Sequence, residues 1–351
     1  MVTTRVRIDR IASSTHNARL GHDLLLGPEI VCREGYVIAV RLLNDKTVYN
    51  EVEDPSGRFI RLRAGDTLAG TLGHRRALRG YAGEVPEALA VGDVVQVLNM
   101  GGVLGRCTAI NPDLGRPFDA EVLGAALVFP RVGDRVGRPA HIGENAVPPA
   151  DALECRVPVV YVAGTCMNAG KTMAAAEIVH GLSRAGLRVA AAKLTGVALM
   201  RDALAMVDAG AIAALTFNDA GVVSTSDDAA LPTARGLLNE LARTHRPDVV
   251  VAELGDGVLG EYGVAAILAD APMMSLARAL VACAPDQVAS WGVVRVLAER
   301  FGLRPTVISG PATDNEVGCR FIREELGLPA HNARRGDGAL ARVVLEALRG
   351  Q

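Results

Sequence analysis

The chain has 351 residues, of which 50% are hydrophobic and only 3% aromatic, with a net charge of −2. That length allows two domains, whose cores must be built from Ala, Val and Leu rather than from rings. The near-neutral balance gives no basic field to recommend nucleic acid or an anionic membrane as partner. No uncharged apolar run reaches the ~18 residues needed to span a bilayer, and the first residues, MVTTRVRIDRIASS, lack a signal-peptide core. The cysteines at 32, 107, 155, 166, 283 and 319 form no C-x-x-C pair, so a reduced cytoplasmic setting is expected and a cysteine zinc site is not. Of 37 basic residues only Lys46, Lys171 and Lys193 are lysine, a bias that singles out each of the three.

Residues 1–142 read as a β-rich, barrel-like domain. The segments 35–43, 46–53, 57–63 and 93–100 are short, β-branched and turn-bounded, and Gly-Asp punctuates the stretch at 65–66, 92–93 and 133–134. Residues 143–154, with paired prolines, read as a linker. Over 155–351 apolar strands alternate with helices. Strands are expected near 157–163, 188–193, 213–217, 248–253, 277–283, 305–309 and 328–332. Helices are expected at 171–185, 198–209, 232–244, 261–269, 287–301, 315–326 and 338–349. Apolar strands without alternation, each followed by a helix, predict an α/β fold with a doubly wound, mostly parallel sheet. Ligands in such folds bind beyond the carboxyl ends of the strands.

The first of those strand ends carries GTCMNAGKT, residues 164–172. The strict phosphate-loop pattern is G-x-x-x-x-G-K-[ST], and here Thr165 occupies the position of its first glycine. The physical requirements are still met, because a buried strand, a small-residue loop and a helix start lie in succession and unpaired helical N–H groups attract phosphate. Gly164, Thr165, Met167, Asn168, Ala169 and Gly170, with Lys171, Thr172 and Met173, form the expected nucleotide cradle. Lys171 would bridge the terminal phosphates and Thr172 would bind Mg²⁺ through its hydroxyl. Cys166 reads as a small neutral filler, because no histidine lies nearby to make it a nucleophile.

Lys193 ends the next strand, where a compact ammonium suits phosphoryl chemistry. Asp202 lies in a first helical turn, and Glu253 ends the run DVVVAELGDG; a carboxylate after an apolar strand holds Mg²⁺ directly or through water. Asn315 either contacts adenine or caps a helix. N-K-x-D, the guanine signature, is absent, since the comparable strand end reads ACAPD, and ATP is therefore the expected nucleotide. The loop 217–228 has turn chemistry suited to a substrate lid.

These motifs resemble dethiobiotin synthetase, an ATP-dependent ring-closing carboxylase. Its loop is similar to GTCMNAGKT, its second lysine lies at the separation of Lys193, and its metal-binding segments look like RDALAM and ELGDG. The resemblance covers residues 156 to about 335 and implies Mg²⁺ held by Thr172, Asp202 and Glu253, a transfer site flanked by Lys171 and Lys193, and a homodimer. Cys166 and Asn168 stand where that family has acidic residues facing a diamine, and Leu254 and Asp256 alter the turn after Glu253. Dethiobiotin is therefore not the expected product. The expected activity is an ATP- and Mg²⁺-dependent ligase that phosphorylates a carboxylate or carbamate of a small-molecule substrate for capture by an amine. The alternatives are an ATPase switch driving a partner or metal-delivery step, and a small-molecule kinase with Asp256 as base.

Overall fold

Buried and half-exposed residues alternate along the first six positions of Phe118–Val128, and this 11-residue strand is the spine of the amino-terminal half. In the computed structural model, which describes residues 3–78 and 80–350, it pairs antiparallel with Val37–Leu42 on one side and Val94–Val97 on the other. Val37–Leu42 pairs with Thr67–Leu72, which runs parallel to Val103–Ala109, which in turn pairs with Val94–Val97. These strands close on themselves, so the barrel-like expectation corresponds to a closed ring. Its inward positions are aliphatic, among them Ile38, Val40, Leu68, Leu72, Leu104 and Val122. A register shift at Gly124, whose φ is +148°, lets the long strand bend and serve both neighbours.

The strand expected over 46–53 is corrected to Glu51–Glu53. Tyr49 has φ of +51°, which breaks an extended run, and its ring packs edge-on against Tyr81.

The second unit holds a six-stranded sheet in the order Ala213–Thr216, Val189–Thr195, Val249–Leu254, Val159–Gly164, Ala277–Cys283, Val307–Ser309, with every pairing parallel. This is the predicted α/β arrangement. Val160 and Val162 pack toward helix Lys171–Arg184, while the Tyr161 hydroxyl donates to the Met273 carbonyl at 3.0 Å in the short helix Ala271–Ser275, so both faces of the sheet are covered. Alanines and a glycine substitute for rings by close approach: a Cβ on Gly181 would lie 2.2 Å from the Ala341 Cβ, so helices Lys171–Arg184 and Ala339–Arg349 come together only because 181 has no side chain.

Several expected elements differ, among them the helix expected from 261, which starts at Val264 after Gly263. Residues 328–332 form no strand, only an isolated bridge between Ile308 and Ala330, with Pro329 interrupting. The helix expected from 232 starts at Asp227, capped by Ser226; Pro232 lies inside it, its carbonyl accepting the Ala150 N–H at 2.9 Å. The helix expected from 198 starts at Arg201.

That last difference has a cause in the chain's path. The first unit comprises 1–146 together with 197–201 and 218–224; the second comprises 147–196, 202–217 and 225–351. Residues 147–154, expected as linker, belong to the second unit, where Asn239 Oδ1 accepts the N–H groups of Glu154 and Cys155. Inside the first unit the two short segments pair with each other through a 2.8 Å bond from the Ala198 N–H to the Val223 carbonyl. Buried polar side chains anchor them. Glu53 Oε2 accepts the Met200 N–H at 2.7 Å, Asn99 donates to the Ala198 carbonyl at 2.8 Å, and Asn17 donates to the Asn218 carbonyl at 2.9 Å. The loop read as a lid is thus largely built into the first unit. Among the described residues no helix is long and apolar enough to cross a membrane.

His16 completes this anchorage. Its Nε2 lies 2.9 Å from Asp219 Oδ1 and its Nδ1 lies 3.2 Å from the Ser13 carbonyl, so both ring nitrogens face acceptors and both can donate only as imidazolium. Burial alone depresses its pKa, but the Asp219 carboxylate and the Ser13 carbonyl outweigh burial and raise it above 6.5. A histidine pKa raised on folding stabilises fully below the unfolded value and ceases to do so as pH rises through the folded value. The thermal midpoint should therefore fall as pH rises above 6.5, and His16→Gln should lack that component. Equal pH slopes in the two proteins would show that the pair contributes nothing.

Candidate nucleotide site

Strand Val159–Gly164 is fully buried and delivers the loop 165–170 to the carboxyl edge of the sheet. The loop turns through Asn168 at φ +62° and Gly170 at φ +93°, and no side chain caps the helix that follows, so its leading N–H groups are left for an anion. Thr165 donates its N–H to the Cys283 carbonyl at 3.1 Å, which ties the loop to the neighbouring strand. Two glycine turns crowd the loop from either side. A Cβ on Gly310 would lie 2.2 Å from the Ala169 carbonyl, and one on Gly257 would lie 2.2 Å from the Thr165 carbonyl. Backbone packs on backbone at both points, which fixes the cradle's shape without side chains.

Lys171 is buried, and its ammonium donates to the Cys166 carbonyl at 2.8 Å, across the loop that would wrap a phosphate. Thr172 donates its hydroxyl to Glu253 Oε1 at 3.1 Å. The other oxygen of Glu253 is buried and has no hydrogen-bond partner. An ionised carboxylate left half-satisfied in the interior is costly unless a cation completes it. A threonine hydroxyl beside a carboxylate with a spare oxygen is an oxygen donor set suited to a hard divalent ion such as Mg²⁺.

Asp202 does not join this pair. Its carboxylate forms an ion pair with the Lys193 ammonium, and both residues are 7% exposed. Lys193 is in register with Glu253, which is in register with Val162 on the loop strand. Between them runs the turn 255–257. A Cβ on Gly255 would lie 3.1 Å from Lys193 Cε, while Gly257 abuts Thr165. Lys193 and the loop therefore flank the same glycine turn.

Asp256 sits in that turn at φ +72°. Burial raises its carboxyl pKa, and the Lys171 ammonium partly offsets the rise. Asn315 uses Oδ1 to accept the N–H groups of Val317 and Gly318, the capping arrangement. Cys166 is half-buried against the hydrophobic core. Met167 is half-buried, while Asn168 and Met173 are exposed. The sequence reading missed the anchoring set Ser13, His16, Asn17 and Glu53. The run SSTHN at 13–17 was the available signal, four of its five residues being polar groups that turn out buried.

The phosphate-loop-like turn, the uncapped helix start and the parallel sheet give the second unit an α/β fold of the P-loop NTPase kind, and the first unit is a sheet domain of its own. No family model matches the sequence, and no curated protein matches it. Partial likeness to solved structures exists. A DUF1611 family protein from Anabaena variabilis is 19% identical over 59% of this chain and 63% of its own, with a TM-score of 0.37. The signal recognition particle 54 kDa protein from Aeropyrum pernix in complex with GDP is 19% identical over 60% of this chain and 51% of its own, with a TM-score of 0.35. HypB from Helicobacter pylori in complex with nickel is 13% identical over 55% of this chain and 88% of its own, with a TM-score of 0.34. This chain spans only about half to two thirds of the first two proteins, and overlays of this quality pass no function to it.

Replacing the half-satisfied carboxylate should separate metal from nucleotide binding. Glu253→Gln should keep its fold by circular dichroism and lose the Mg²⁺-dependent part of nucleotide affinity, on the order of tenfold or more. Unchanged Mg²⁺ dependence in a titration would remove Glu253 from the metal site.

Proposed function

We propose that this protein is an ATP- and Mg²⁺-dependent P-loop ATPase switch, in which nucleotide state at the sheet edge is passed to the first unit through the chain itself. The observation that carries this reading is the chain's route. From strand Val189–Thr195, which carries Lys193, it enters the first unit at 197–201, where Glu53 holds the Met200 N–H, and re-enters the second unit at Asp202. A carboxylate expected at the metal is thus the first residue after an anchored segment of the other unit.

Thr172 and Glu253 would hold Mg²⁺, which supplies charge neutralisation for the ATP phosphates when bound. Asp202 would then exchange its partner, and the released Lys193 ammonium would turn to the terminal phosphate. Movement of Asp202 shifts the first turn of its helix and with it residues 197–201. ATP is favoured over GTP because Asp286, at the strand end where a guanine signature would stand, instead caps the next helix by accepting the Ala289 N–H at 2.8 Å. All six cysteines are free, in keeping with a reducing, cytoplasmic setting.

A second reading is the ligase that the resemblance implies, together with its small-molecule substrate and homodimer. What supports it is the place of Lys193, a second ammonium beside the glycine turn that packs on the loop. A carboxylate or carbamate nucleophile needs no base, so none is required of the site.

Phosphate release from Mg²⁺-ATP separates the two. The switch predicts release by the protein alone, reduced at least tenfold in Lys171→Ala. Release that appears only with an added amine or carboxylate acceptor would overturn the switch in favour of the ligase.

A further inference from the structure

The third lysine lies outside the nucleotide site and marks another place. A cleft of about 770 Å³ opens in the first unit, lined by the loop 44–48, by Arg61 and Arg63, and by the turn 114–116. Its charged residues are Lys46, Arg61, Arg63 and Arg116 against the single carboxylate of Asp45. Asp45 Oδ1 already accepts the Ala64 N–H at 3.0 Å.

Lys46 is half-buried and fully engaged. Its ammonium donates to the Tyr81 hydroxyl at 2.9 Å, to the Leu114 carbonyl at 3.0 Å and to the Arg116 carbonyl. Those bonds use its three donors, so Lys46 is a positioning residue that pins the turn carrying Arg116. The arginines differ from it. Arg61 ends strand Phe59–Arg61 and Arg63 lies two residues on, with buried Leu62 between them pointing the other way, so the two guanidinium groups share a side. Arg61, Arg63 and Arg116 are exposed, and none of their guanidinium groups makes a hydrogen bond or ion pair with a described residue. Three like charges gathered in one concavity raise a positive potential that an anion would relieve. Guanidinium forks match phosphate oxygens in pairs, which a lysine cannot do. At the mouth, Val48 is 48% exposed and Leu114 is half-buried, giving the cleft an apolar side.

We propose that this cleft is a second anion site, separate from the P-loop, which binds a phosphorylated small molecule: its diphosphate group on Arg61, Arg63 and Arg116, its apolar body against Val48 and Leu114. The site lies wholly in the first unit and does not depend on the switch reading.

Calorimetric titration of the full chain with inorganic pyrophosphate, without Mg²⁺, tests it. The wild type should bind at a site that survives in Lys171→Ala, and pyrophosphate should bind there more tightly than orthophosphate. Affinity at that site should fall roughly tenfold or more in Arg61→Ala/Arg63→Ala, and again in Arg116→Ala on the separate turn, with unchanged melting midpoints. Pyrophosphate binding abolished by Lys171→Ala and untouched by the arginine substitutions would overturn the proposal. So would binding that never saturates and is displaced equally by any oligonucleotide, which describes a bare basic surface.

Discussion

The buried ion pair between Lys193 and Asp202 is the constraint on which the proposed switch depends. Removing one partner of such a pair leaves the other charge uncompensated in the interior, at a cost of about 3–5 kcal/mol. In the proposed switch, separating Asp202 from Lys193 would be offset by a cation at the carboxylate and an anion at the ammonium. Mg²⁺ alone satisfies one half of that condition, and a metal-free nucleotide the other. Mg²⁺ with ATP would satisfy both, so the proposed exchange would be conditional on the complete ligand rather than on either component.

The surroundings suit such an exchange. Glu253 stands in register beside Lys193 with one oxygen unsatisfied, and Thr172 lies against its other oxygen. The loop itself is shaped by backbone contacts at Gly257 and Gly310, so the cradle does not wait on side-chain order. What is left to move is the start of the helix Arg201–Asp208, whose preceding residues are held by Glu53 and Asn99 in the first unit. In the proposed switch the cradle would bind and the tethered helix start would respond.

Much of the second unit was legible in the sequence because its signals are local. Buried strands such as VVYVAG read as continuous apolar runs, and the loop and its lysine follow directly from spacing. Lys193, Asp202 and Glu253 were found as candidates, but their partners were not, because an ion pair between a strand end and a helix start is a tertiary fact. The two excursions into the first unit were invisible for the same reason. Residues 218–224 carry ordinary turn chemistry, and only the acceptors and donors of His16, Asn17 and Glu34 reveal where they belong. In the first unit, closure of the ring depends on the parallel pairing of Thr67–Leu72 with Val103–Ala109, which no alternation pattern encodes. Tyr49 broke an expected strand because a positive φ is set by its neighbours and not by its β propensity.

Hydrogen exchange over residues 197–201 and 218–224 tests the exchange of partners most directly. The amides of these segments, Met200 foremost, should change their protection when Mg²⁺ and a non-hydrolysable ATP analogue are both present, and should not change with either alone. Saturating Mg²⁺ and analogue bound with no change in these amides would contradict the account, and would leave a nucleotide-holding domain uncoupled from the first unit.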